Sequence, residues 1–291
     1  MKLGDGTDVS ANGLTGRLYL SAAAPGQERG SSKPRSSQPG SSQQEFGNAE
    51  RPSKTGGQVF VLLHGIGVSH RYLARLHLEL ASGRQARDAV VYSFDLPGFG
   101  DTPRPGRQVS VGEYAAFVAA VLADAGVQSC VVVGHSMGVQ FAVELALQEP
   151  DLVSRVVLMG PVVDPARRSA AWHALALTRD ALLSESPSTN LVVFGDYFKA
   201  GLRWYLTELP VMLAYPLETR VCGVDQPVLV LRGSRDPIAR RPWCEFLASQ
   251  AQHGTFVDVL GRGHVVQDSA PEAVAQAIVH WASTAADDVT A

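Results

Sequence analysis

The chemistry in this chain starts at Gly134, His135, Ser136, Met137 and Gly138, a G-x-S-x-G pentapeptide. Small residues recur by chance, so the setting carries the weight. Residues 130–133 read as a buried strand that stops just before the motif. Residues 137–148 have helical apolar spacing just after it, and Pro150 marks their end. A serine on a sharp strand-to-helix turn is held in strained backbone, with its hydroxyl presented at the carboxyl edge of a sheet. The adjoining helix N-terminus favours negative charge there. Glycines at 134 and 138 let strand and helix approach closely. The chemistry so placed is nucleophilic attack by Ser136 on a carbonyl carbon. A serine hydroxyl needs a base and a group that orients the base. His264 stands in GRGH (261–264), just past the apolar run 255–260, and is the candidate base. Asp236 stands in GSRDP (233–237), past the run 228–232 and in the loop before the last core helix, and is the candidate acid.

Acyl transfer also needs two donors where the tetrahedral oxygen becomes negative. The N–H of Met137 is one. The second is expected in LLHGIGVS (62–69), from Ile66, with Gly67 the alternative. Gly67, His135 and Val265 flank these groups and are candidate substrate contacts. His135 is not the base, because neighbouring residues in so tight a turn point apart. His64, at a strand end, is expected to organise its loop through hydrogen bonds. His70 fits either a helix surface or the pocket, and the remaining histidines carry no motif.

The elements that must position these groups follow from periodicity. Residues 59–63 are a continuous apolar run and 89–94 a second buried one, as in strands covered on both faces of a parallel sheet, and 130–133, 155–159, 228–232 and 255–260 read as further strands. Residues 14–20 alternate like an earlier strand. Helical spacing occupies 69–82, 111–125, 137–148 and 270–283. The alternation predicts a doubly wound, mostly parallel α/β sheet. Residues 162–222 interrupt it with helical patterns and no strand, and are expected to form a helical cap. Aromatics in such a layer pack as its own core, and some can also line an apolar pocket. Trp172, Phe198, Trp204 and Tyr205 are the candidates for that second role.

Composition bounds the rest. The 291 residues are 45% hydrophobic and carry a net charge of −3, with no sign of the basic face a nucleic-acid binder usually carries, so no nucleic-acid partner is expected. The N-terminus has no apolar signal-peptide core, and no stretch approaches the ~18 apolar residues of a membrane span. A cytoplasmic location follows as the expectation. Cys130, Cys222 and Cys244 are too widely spaced for a metal knuckle and are expected to be reduced and structural. Residues 24–57 are dominated by Gly, Pro, Ser and Gln and read as a disordered insertion. The resulting division is an N-terminal strand region (1–23), the insertion (24–57), a core from 58–161 and 223–291, and the cap (162–222). Arg232, Arg235, Arg240, Arg241 and Arg262 surround the acid and base loops. Solvated loop arginines are the plain explanation, and steering of an anionic substrate is the alternative.

LLHGIG (62–67), DLPGFG (95–100), VGHSMG (133–138), GSRDP and GRGH occur in an order that resembles the α/β-hydrolase family. The resemblance covers roughly 58–160 and 223–284. It is strongest to the branch of small-molecule esterases, lactonases and carbon–carbon bond hydrolases. It implies the chain order serine, acid, histidine, and offers Asp164 as a fallback acid because some members place the acid after the preceding strand. Serine rather than aspartate at the elbow separates this chain from the haloalkane dehalogenases and epoxide hydrolases of the same fold. The implied activity is hydrolysis of a small carboxylic ester, thioester or lactone with an apolar portion, without metal or organic cofactor. Carbon–carbon bond hydrolysis, acyl transfer to another acceptor and a non-catalytic ligand receptor are the alternatives.

Overall fold

Each apolar run read as a strand forms one. The computed structural model describes residues 3–22, 57–82, 89–169, 193, 195–196 and 201–284. Its strands are β1 Thr7–Ala11, β2 Leu14–Ala22, β3 Val59–Leu63, β4 Val90–Asp95, β5 Cys130–His135, β6 Val153–Met159, β7 Val228–Gly233 and β8 Gly254–Val259. They form one eight-stranded sheet in the order β1-β2-β4-β3-β5-β6-β7-β8. The pairs β1–β2 and β2–β4 are antiparallel, and the six strands from β4 to β8 run parallel. All parallel strands therefore end on one edge, and β5, β7 and β8 deliver Ser136, Asp236 and His264 to it. This is the sheet expected of the α/β-hydrolase fold.

Period-two alternation sends neighbouring side chains to opposite faces. Val61, Leu63, Val132, Leu158 and Val230 join a core that includes Phe117 of α2 (Val111–Asp124), Phe141 of α3 (Gly138–Gln148) and Trp243 of α6 (Arg241–Gln250). Phe60, Leu62, Val133, Val157 and Leu231 face the other way. They pack with Leu76 of α1 (Ala74–Ala81) and Ile278 of α8 (Pro271–Thr284). Helix α2 starts on a full capping box, in which Ser110 and Glu113 satisfy each other's backbone N–H. Between β6 and α6 the described residues hold α4 (Leu202–Ala214) and the single turn α5 (Leu217–Arg220). α7 (Val266–Ser269) is another single turn after β8. Tyr215, just past α4, donates to Glu144 of α3, and Gln140 of α3 donates to the Met212 carbonyl, so the end of α4 is tied to α3.

The structure departs from the sequence reading at three elements. β1 (TDVSA) is absent from the elements the spacing predicts, because it is a short edge strand, mostly open to solvent, with only Val9 and Ala11 turned to the core. Helix α6 is likewise absent from the elements the spacing predicts, because RPWCEFLASQ mixes proline, charge and aromatics. Asp236 thus precedes α6 rather than the last helix, which is α8. Residues 69–82 divide into a 3₁₀ turn at His70–Tyr72, capped by Ser69, and then α1. Residues 24–56 of the insertion, Trp172, Phe198 and the first helical pattern of 162–222 (170–183) lie outside the described residues. Among the described residues, no helix is long and apolar enough to cross a membrane. The cysteines are all free, with Cys130 and Cys244 buried and Cys222 exposed.

Candidate active site

Ser136 follows β5 directly and carries a φ of +57°, in a region that non-glycine residues rarely occupy. Such strain persists only where the surroundings enforce it. They do so here by close approach. A Cβ on Gly134 would collide with the Gly138 carbonyl, and a Cβ on Gly138 with the Leu63 carbonyl. The glycines thus let β5, α3 and the end of β3 meet. Ser136 is partly exposed in an otherwise buried stretch from Val131 to Gln140. Met137 opens α3, so its N–H lies at the helix N-terminus.

Asp236 and His264 meet as the sequence suggested. His264 Nδ1 is 2.8 Å from Asp236 Oδ2, and both side chains are buried. Asp236 Oδ1 accepts from the N–H of Ile238 at 2.7 Å and of Ala239 at 2.9 Å. Burial alone would raise this carboxyl. His264 beside it and the two N–H groups outweigh that and hold it below the usual carboxylate range. An ionised carboxylate only accepts, so Nδ1 of His264 carries a proton and Nε2 is the nitrogen left to accept one. Arg232, buried under the acid loop, donates to the carbonyls of Ala239, Ser234 and Asp236 and pairs with Asp258 at 2.8 Å. It therefore braces Asp236.

The fallback acid is not at the site. Asp164 caps the short 3₁₀ turn Pro165–Arg167 by accepting from Ala166 at 3.0 Å. Its sequence context, a strand end followed by proline, is met by an ordinary capping role.

The loop after β3 is pinned at both backbone polar groups of one residue, Gly65. His64 Nδ1 donates to the Gly65 carbonyl at 2.7 Å, and its Nε2 accepts from Leu96 at 3.0 Å. That is the loop-organising part expected of it. Burial lowers its pKa and keeps the ring neutral. Gly65 N–H is engaged by the Tyr72 hydroxyl at 2.7 Å, which leaves Ile66 as the next N–H along the loop. A Cβ on Gly65 would lie 2.9 Å from that of Ser136, so the loop touches the nucleophile.

Ser136, His264 and Ile66 border one cavity that opens to solvent. Its walls are largely apolar: Ile66, Val68, Val162, Val193, Met212, Ile238 and Val265, with Tyr205. Among the candidate contacts, His135, Tyr205 and Val265 do line it. Gly67 does not; its φ of +76° serves the turn of the loop. Trp204 does not either. It is buried against Gly98 and stacks edge-on to Phe99, because the face of α4 it occupies turns to the loop after β4. His70 pairs with Asp95 and stacks on Tyr19, away from the cavity. Sequence reasoning missed Tyr72, whose setting VSHRYLA holds no motif, and the wall residues Val162, Val193 and Ile238. None of the five loop arginines borders the cavity. Among the described residues, no group of three or more His, Cys, Asp or Glu side chains is placed to hold a metal ion.

Comparison with known proteins bears on the fold and the family. A model of the alpha/beta hydrolase family matches residues 60–277. An (E)-2-((N-methylformamido)methylene)succinate hydrolase of Acinetobacter baylyi is 25% identical over 246 residues, 78% of this chain and 91% of its own. A pimeloyl-acyl-carrier-protein methyl ester esterase of Aeromonas salmonicida is 26% identical over 220 residues, 74% of each chain. The enol-lactonase of Burkholderia xenovorans superposes with a TM-score of 0.72 over 95% of this chain and 100% of its own. At 16% identity that likeness is one of fold.

Proposed function

The chain belongs to the alpha/beta hydrolase family, and from that premise we propose that it is a serine hydrolase. Its substrate is a small carboxylic ester, thioester or lactone with an apolar portion, cleaved through an acyl-enzyme on Ser136. The observation that carries this is one cavity bordered by a serine in left-handed backbone and by a histidine whose other nitrogen is bound to a buried carboxylate. His264 Nε2 takes the proton of Ser136 as Oγ attacks the carbonyl carbon. Asp236 holds the ring and stabilises its cationic form. The N–H groups of Met137 and Ile66 receive the tetrahedral oxygen. His264 returns the proton to the leaving alcohol or thiol, then activates water to release the acid. The segment 162–222 acts as a cap, with α4 supplying Tyr205 and Met212 to the substrate.

The substrate class is supported by the described walls, which carry no Lys, Arg, Asp or Glu. A neutral acyl chain fits them better than a second carboxylate, whose burial would go unpaired.

One experiment tests the nucleophile and the preference together. A fluorophosphonate is expected to form its adduct on Ser136, found by peptide mass analysis. Ser136→Ala is expected to lose both labelling and turnover. Among p-nitrophenyl esters, butyrate should exceed the hemisuccinate by about 10-fold or more in kcat/KM, the order of one unpaired charge in an apolar site. An adduct on another residue removes the proposal. Turnover of a dienone or β-diketone with none of any ester replaces ester cleavage by carbon–carbon cleavage.

A further inference from the structure

Two buried side chains beside the elbow take no part in the steps above. Tyr72 ends the 3₁₀ turn after Ser69, and His135 is the last residue of β5. Both border the cavity. Gly65 N–H donates to the Tyr72 oxygen at 2.7 Å, and that oxygen lies 2.8 Å from His135 Nδ1. His135 Nε2 lies 2.9 Å from the backbone carbonyl of His264.

These contacts fix the protons. A carbonyl only accepts, so His135 Nε2 bears the hydrogen and Nδ1 must accept. Tyr72 then donates its hydroxyl hydrogen to Nδ1 and accepts from Gly65 with a lone pair. The bonds run head to tail, and each polarises the next. Burial, with His264 adding to it, lowers the pKa of His135 to about 3, so the ring keeps this neutral form at neutral pH. Its centroid is 4.8 Å from that of His264, where a second positive charge would oppose a developing imidazolium.

The chain reaches three loops, each at a point one residue or less from a reacting group. Gly65 precedes Ile66, His135 precedes Ser136, and the last acceptor is His264 itself. We infer that Tyr72 and His135 are positioning residues for acyl transfer: their hydrogen-bond chain locks the oxyanion loop, the nucleophile elbow and the base loop into one unit. This rests on the reading of Ser136 as nucleophile and adds to it residues that touch no reacting atom. A displacement of about 1 Å among such groups is enough to cost ~10²-fold in rate.

Fluorophosphonate labelling tests the inference without knowledge of the natural substrate. Ser136 Oγ forms the new P–O bond, fluoride leaves with its electron pair, the serine proton passes to His264, and the phosphoryl oxygen uses the same N–H donors. Wild type, Ser136→Ala, Tyr72→Phe, His135→Gln and the Tyr72→Phe/His135→Gln double variant are compared for second-order labelling rate and thermal midpoint. Tyr72→Phe removes one oxygen. His135→Gln keeps a donor for the His264 carbonyl and has no atom at the Nδ1 position to which Tyr72 donates.

Each single variant is expected to label Ser136 about 10- to 100-fold more slowly, and to lower kcat for p-nitrophenyl butyrate by the same factor with KM nearly unchanged. The double variant is expected to fall within about twofold of the slower single, because either change breaks the same chain. A merely structural role would lower the thermal midpoint and leave the labelling rate within about twofold of wild type, and that result overturns the inference. Tyr72→Phe keeps the test open should His135→Gln fail to fold. Wild-type label found elsewhere than Ser136 overturns the nucleophile and this inference together, and is told apart by the position of the label rather than its rate.

Discussion

Asp236 and Asp164 share a sequence context, since each follows a core strand and adjoins a proline. Their partners separate them. Asp236 is buried and divides its two oxygens between His264 and a pair of backbone N–H groups. Asp164 is partly exposed and caps one turn. Asn at 236 would preserve the bonds from Ile238 and Ala239 but would favour the wrong His264 tautomer. Asp236→Asn is therefore expected to lower kcat by roughly 10³- to 10⁴-fold. Asp164→Asn should stay within about twofold, because Asn caps nearly as well as Asp. Initial rates on p-nitrophenyl butyrate check both, and loss of turnover only in the second variant would move the acid to Asp164. His264 and Asp236 were legible in the sequence because strand periodicity places the ends of β7 and β8 on the edge that holds Ser136. Tyr72 was not, nor was its hydrogen bond to His135, a residue that the sequence offered only as a substrate contact. Their bond joins residues 63 positions apart, and neither periodicity nor a motif encodes a contact of that kind.

At the scale of elements, the meeting of β3, β5 and α3 is set by what is missing from two side chains. Gly138 faces the carbonyls of Leu63 and His64 with no room for a methyl group. Gly112 in the first turn of α2 has ordinary helical backbone, and an added Cβ there meets only the movable end of Gln148 at 3.3 Å. Gly138→Ala is expected to lower unfolding stability by about 3 kcal/mol or more through backbone displacement. Gly112→Ala is expected to leave stability unchanged or raise it by up to about 1 kcal/mol by narrowing the unfolded ensemble. Urea midpoints at neutral pH separate the two, and equal losses would mean that the close approach at the elbow is not what selects glycine. The inner strands β3, β4 and β5 were legible because burial on both faces demands mostly apolar runs. β1 was not, since an exposed edge needs no such run. Trp204 shows the limit on helices: its spacing marks it as buried, but not which neighbour covers it.

The whole molecule stores opposing titrations in its interior. His64, His77 and His135 are buried and neutral, and burial lowers each pKa, to about 4 for His77 and about 3 for His135. In the unfolded chain each binds a proton below pH ~6.5. Between that value and the folded pKa the unfolded state holds more protons, so stability falls as pH falls through this window. From pH 8 to pH 5 each histidine accounts for at most about 2 kcal/mol of that loss. Glu208 of α4 has the opposite sign. Burial raises its carboxyl to about 7, against an ordinary value of 4.5, so the folded state holds the extra proton in between and stability rises on acidification. Between pH 7 and pH 5 this offsets at most about 3 kcal/mol. Asp196, also raised by burial, acts in the same direction. Glu208 Oε1 accepts from Val109 N–H at 3.1 Å, a bond that a glutamine can keep. Glu208→Gln is therefore expected to match wild type at pH 5 and to exceed it at pH 8. It should lose more stability than wild type on going from pH 8 to pH 5. Urea unfolding of both proteins at the two pH values measures the difference, and identical losses would show that the Glu208 carboxyl ionises in the folded protein as it does in water.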